Sequence, residues 1–157
     1  MKIITKGIIL VTALIVLLAY GTTLASELDC SNTRHEFKFK SYPSDETRGW
    51  YTDKCCSIDI DHVVSLKEAC VLGLPKSRWE EFANDRENHV PACSSVNRSK
   101  GSSGPEDFYR KATDGKGRDY IIVRFEEYLE LYYYILDKYG LEKEPFDRSS
   151  LFMSSRR

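Results

Sequence analysis

The side chains best suited to chemistry lie between positions 59 and 100: Asp59, Asp61 and His62, then Asn97, Arg98 and Lys100. Asp61 and His62 stand where a short alternation, Ser57-Ile58-Asp59-Ile60-Asp61, comes to its end. Neighbours along a strand face opposite ways, but at a strand end both can address one site. A carboxylate there can hold a hard cation while an imidazole beside it takes a proton from water. Hydrolysis of a phosphodiester needs those two functions. Asn97 adds a neutral oxygen donor suited to Mg²⁺, and Arg98 and Lys100 add positive charge for phosphate oxygens. Taken singly, each group has a plainer reading: a surface Asp–His pair, an Asn capping a helix, a solvated basic face. Their order and context carry the weight.

The elements that must position these groups follow from period and punctuation. The alternation predicts a strand over residues 57–61 with Asp59 and Asp61 on one face. Ser65-Leu66-Lys67-Glu68 and Ser77-Arg78-Trp79-Glu80 both have the form of a capping box and predict two short helices, the first stopped by Gly73 and the second by Asn84-Asp85. Residues 89–93 are extended, with Pro91 holding them to a sheet edge. A helix starts near Ser95 and breaks at Gly101, and Pro105 opens another through Lys111. Residues 119–139 predict the longest helix, ended by Gly140. Its stripe of Ile122, Phe125, Leu129, Tyr132, Tyr133, Leu136 and Tyr139 reads as core in preference to a base-stacking surface. Upstream, residues 35–40 alternate as a short strand, 43–45 form a turn, and Trp50-Tyr51 begin an extended segment running through Cys55 and Cys56.

With 157 residues, 41% hydrophobic and 30% charged, the chain has the size and composition of one globular domain, which excludes fibrous and wholly disordered classes. A formal net charge of −1 argues against coating of nucleic acid through an overall basic field. Lys2 and Lys6, the apolar run over 8–20, and small residues before Ser26 have the three-part form of a secretory signal peptide over 1–25. The rival reading is an uncleaved N-terminal anchor, for which the run is short. Cleavage removes two lysines and no acid, so 23 basic residues against 24 acidic become 21 against 24, a net of −3. The protein is therefore expected outside the cytoplasm, secreted or periplasmic, with no stable membrane association after cleavage. Cys30, Cys55, Cys56, Cys70 and Cys93 should there form disulfides, leaving one thiol free or linked to another chain. A structural zinc site is disfavoured because the chain has no CxxC motif.

Asp59 through Ala69, Phe82-Ala83-Asn84-Asp85 with Asn88, and Asn97-Arg98-Ser99-Lys100-Gly101 together resemble the signature of HNH endonucleases of the His-Me finger type, closest to secreted GmrSD C-terminal-like HNH proteins. Trp50-Tyr51, residues 105–109 and Tyr139-Gly140-Leu141 fit the same branch. The resemblance covers residues 48–142, between an N-terminal extension (26–47) and a polar tail (143–157). It implies an α+β fold: a ββα-metal core with extra helices, a long C-terminal helix and disulfide support. It also implies His62 as the general base that activates water, Asp61 and Asn97 as ligands of one divalent cation, and Asn88 as the residue that orients the catalytic His. Mg²⁺ is the first choice of ion and Mn²⁺ the second. Arg98 and Lys100 would bind phosphate, and Asp59 would support the site from behind.

The chain departs from the family pattern at Cys70, His89 and Cys93. A Cys70–Cys93 bond replacing an apolar contact would account for two of these, with Cys30 then bonded to Cys55 or Cys56. Strand alternation would turn His89 away from the site to a surface role. Asn97-Arg98-Ser99 is also an acceptor sequence for N-glycosylation, which would conflict with a metal-binding role. The leading expectation is a secreted, metal-dependent endonuclease of low sequence specificity, with DNA ahead of RNA as substrate and an inhibitor or immunity protein as a candidate partner. The alternative is a secreted binding or effector protein that keeps the fold without the activity.

Overall fold

A computed structural model of the chain describes residues 29–114, 119–147 and 149. The segment expected to be a signal peptide, and residues 26–28, 115–118, 148 and 150–157, lie outside the described residues. Strand β1 (Ile58–His62) pairs antiparallel with strand β2 (His89–Cys93), Ile58 opposite Cys93 and His62 opposite His89. Helix α1 (Thr33–Glu36) precedes the strands. Between them come α2 (Leu66–Val71), a 3-10 turn (Lys76–Arg78), α3 (Trp79–Ala83) and a second 3-10 turn (Arg86–Asn88). Strand β2 runs directly into α4 (Ser94–Lys100), which packs on both strands. Helices α5 (Pro105–Ala112) and α6 (Phe125–Tyr139) complete an α+β fold with one two-stranded sheet and two disulfides.

Local chemistry explains most element ends. Ser65 Oγ accepts from Glu68 N at 3.1 Å and starts α2. Gly140 closes α6 in the left-handed conformation, φ 65°. Four expectations give way to tertiary contacts. The second capping box does not form; Ser77 lies within the 3-10 turn, and the helix starts at Trp79. Trp79 is fixed instead by its indole bond to Leu74 O (2.8 Å) and by stacking on Phe37 at 4.4 Å. Residues 35–40 form no strand, because Phe37 is buried against Trp79 and Phe82 beyond the turn of α1. Trp50 and Tyr51 lie in a turn whose arms meet at an Arg48–Cys55 bridge. The long helix starts at Phe125, not 119; residues 119–122 take no regular structure, 123–124 form a turn, and Val123 N donates to Tyr51 O at 2.8 Å. The β-branched run Ile121-Ile122-Val123 disfavours helix there.

The α6 stripe is core. Tyr128, Leu129, Tyr132, Leu136 and Tyr139 are buried with Val63, Val64, Leu74, Phe82 and Phe108. Tyr51, Phe108 and Tyr128 meet edge to face at 5.0 to 5.7 Å.

The disulfides are Cys30–Cys70 and Cys56–Cys93, with Cys55 free and exposed. This corrects the expected Cys70–Cys93 pairing and the pairing of Cys30 with Cys55 or Cys56. Register supplies the reason. Cys93 sits opposite Ile58, two residues from Cys56, whereas α2 follows the far end of β1. Four strand steps separate those ends by roughly 14 Å, twice the reach of a disulfide. Among the described residues no helix is long and apolar enough to cross a membrane.

Candidate active site

The end of β1, the start of the loop after it and the end of α4 meet in one place. Asp61 is buried, and its Oδ2 accepts from the Tyr51 hydroxyl at 2.7 Å and from Lys100 Nζ at 3.0 Å. Lys100, the last residue of α4, has no solvent exposure, and its Nζ also donates to His62 O at 2.7 Å. The sequence offers Lys100 to a phosphate; in the structure its ammonium is enclosed by Asp61 and the backbone of His62. Burial, with the Asp61 charge beside it, holds the Tyr51 hydroxyl well above its ordinary range, so it serves Asp61 as a donor.

His62 is 8% exposed. Its Nε2 bonds Ala83 O at 2.9 Å, and a carbonyl can only accept, so Nε2 carries the proton and the lone pair lies on Nδ1. Desolvation pushes the imidazole down to about 3, helped by His89, Lys100 and Arg34, and opposed by the bond to Ala83. The ring is therefore neutral at physiological pH.

Asn88 is fully buried, and its hydrogen bonds go to backbone groups of residues 63 and 64. Its side chain accepts from Val64 N (2.9 Å) and donates to Val64 O (3.0 Å), while its own carbonyl accepts from Val63 N (2.8 Å). It clamps the chain just after His62 and so orients the His through the backbone. His89 is not at the surface. It is half-buried, and its ring lies edge-on to His62 at 4.6 Å. Strand alternation separates it from Asn88, but cross-strand register brings it to His62.

A cleft of about 380 Å³ opens on this cluster, lined among others by Arg34, Asp61, His62, Asn97 and Arg98. Asp59 is exposed on the rim and also lines an adjoining hollow of about 230 Å³, shared with Arg34 and Asn97. Arg34, Phe39 and Tyr42 come from the N-terminal segment that Cys30–Cys70 ties to α2, and no sequence pattern marked them. Phe39 stands edge-on to His62 at 4.6 Å. Of the basic residues after α4, Arg110 pairs with Asp107 at 2.6 Å and Lys111 donates to Ser103 Oγ at 2.6 Å.

Among the described residues no group of three or more His, Cys, Asp and Glu is placed to hold a metal. Asp61 and Asn97 line a common cleft and carry oxygen donors of the kind a hard ion such as Mg²⁺ takes, but Asp61 Oδ2 already accepts from Lys100 Nζ and the Tyr51 hydroxyl. No family model matches the chain, and no matching curated protein or solved structure was found.

Proposed function

We propose that the chain is a secreted, metal-dependent endonuclease of low sequence specificity, with His62 as its general base. One observation carries the reading. A neutral, desolvated imidazole adjoins a buried carboxylate on the same cleft as an amide oxygen and a guanidinium. Water at Nδ1 would lose its proton to His62 as it attacks phosphorus, while the Nε2–H bond to Ala83 keeps the ring from turning. The bond from phosphorus to the sugar oxygen opposite would break, and that oxygen would take a proton from solvent. Arg98 and Arg34 would hold phosphate oxygens, contacts that carry no base information. A divalent ion held by Asp61 and Asn97 would supply Lewis-acid stabilisation of the charge that develops on the phosphate. The antiparallel pair of β1 and β2, with α4 packed on it, supports the same reading.

A plasmid-nicking assay with Mg²⁺ or Mn²⁺ tests it. The protein should cut, chelator should stop it, and His62→Ala should lower the rate by about 10²- to 10⁴-fold with the fold retained. Full activity in His62→Ala would remove His62 from the mechanism. The second reading, an inactive binding or effector protein, is favoured by Lys100, whose ammonium already satisfies Asp61 at 3.0 Å. Binding of nucleic acid without cleavage under any metal condition would select it.

A further inference from the structure

The His62–Ala83 bond belongs to a longer chain of contacts. His89 Nε2 lies 3.1 Å from Ala83 O and 3.1 Å from His62 Nε2. His89 Nδ1 lies 3.1 Å from the Tyr42 hydroxyl. One assignment gives Ala83 O a donor from each imidazole and leaves the two Nε2–H groups side by side, 3.1 Å apart, with no bond between them. Tyr42 O–H donates to His89 Nδ1, His89 Nε2–H donates to Ala83 O, and His62 Nε2–H donates to the second lone pair of the same oxygen. The opposite tautomer of His62 would accept from His89 Nε2–H at 3.1 Å but would turn a nitrogen lone pair toward that oxygen, 2.9 Å away. Phe39 closes the group, edge-on to both imidazoles at 4.6 and 5.5 Å, and the Arg86 guanidinium caps the Tyr42 ring at 3.2 Å.

We propose that His89, held by Tyr42 of the N-terminal segment, is a positioning residue. It fixes the Ala83 carbonyl and walls the His62 ring, so that Nδ1 is the nitrogen presented to the cleft. The kinetic consequence rests on the nuclease reading; the tautomer does not. The residue that a resemblance to HNH enzymes marks as a departure thus takes on work at the site. The segment before residue 48 becomes part of the catalytic arrangement, carrying Tyr42 and Phe39.

The test combines kinetics with nitrogen NMR on the protein labelled with ¹⁵N in its histidines. Wild type should show His62 protonated on Nε2 and bare on Nδ1. His89→Leu should bring a second His62 tautomer into the spectrum and lower kcat about tenfold with KM unchanged. Tyr42→Phe removes one oxygen and keeps the ring, so it should act in the same direction, more weakly, without loss of fold. His89→Gln, whose amide can still donate to Ala83, should recover most of the rate. A wild-type His62 protonated on Nδ1 would overturn the proposal. So would an active protein in which both variants keep kcat and the His62 signals. A wild type that cleaves nothing would instead refute the nuclease reading, and the His62 signals would still decide the positioning.

Discussion

Replacing Lys100 with Met keeps most of the side chain's length and removes one charge from a buried pair. The ammonium has no solvent exposure and lies 3.0 Å from Asp61 Oδ2, which is itself nearly enclosed. After the substitution Asp61 retains the Tyr51 hydroxyl as its recorded donor, and His62 O loses its partner at 2.7 Å. Removing one member of a buried ion pair costs about 3–5 kcal/mol, and an unsatisfied buried acceptor about 1–3 kcal/mol. Water drawn to the vacated ammonium position limits the first of these, so the expected loss is about 4 kcal/mol at pH 7. Urea unfolding with both disulfides intact reads it directly. At a slope of about 2 kcal/mol/M the midpoint should fall by about 2 M with the slope unchanged. Asp61→Asn in the Lys100→Met background removes the stranded charge and should recover at least about 2 kcal/mol relative to additivity. A Lys100→Met loss below about 1 kcal/mol, or strict additivity of the pair, would show that the ammonium is hydrated and not locked to Asp61.

Three further outcomes follow from the same contacts. Asn88→Ala leaves Val64 N and O without their partners and should cost about 2–4 kcal/mol; an unchanged thermal midpoint would remove Asn88 from the support of His62. Cys30→Ser with Cys70→Ser opens a link spanning 40 positions, worth about 4 kcal/mol by chain entropy, and a denaturant midpoint equal to wild type would contradict that. The cleft's cations among the described residues are Arg34 and Arg98, so the log–log salt slope of duplex binding should be about −2, and Arg34→Ala or Arg98→Ala should each reduce it by about one. A slope steeper than about −5 would place most phosphate contacts elsewhere.

The sequence makes the centre of this site legible and hides its surroundings, for a physical reason. Period-two alternation locates the strand that ends at Asp61 and His62, because the pleat alone sets that period. Pro105 and Gly140 mark ends that backbone geometry enforces. Register is different. It follows from how two distant strands slide, and nothing local to residue 89 states that it faces residue 62. The disulfide pairing failed on the same point, since Cys93 and Cys70 belong to opposite ends of β1. The start of α6 failed because Val123 N bonds a backbone oxygen of Tyr51, more than 70 positions away.

The site is also held largely by backbone atoms, which have no sequence signature. His62 and His89 lean on the carbonyl of residue 83, Lys100 on the carbonyl of residue 62, and Asn88 on both backbone groups of residue 64. The side chains of Ala83 and Val64 serve the core while their backbones serve the site. A substitution at position 83 that keeps the turn would leave the hydrogen bonds intact, whereas a shift of that turn by 1 Å would break two of them at once. Precision at His62 therefore depends on the rigidity of α3 and of the Arg86–Asn88 turn. Lys138, the Tyr139 hydroxyl and the Tyr134 hydroxyl tie Asp85 and Glu87 of that region to α6 at 2.7 to 3.0 Å. In the proposed mechanism the long helix would act without approaching the cleft: it anchors the turn that follows Ala83, whose carbonyl would set the tautomer of the base.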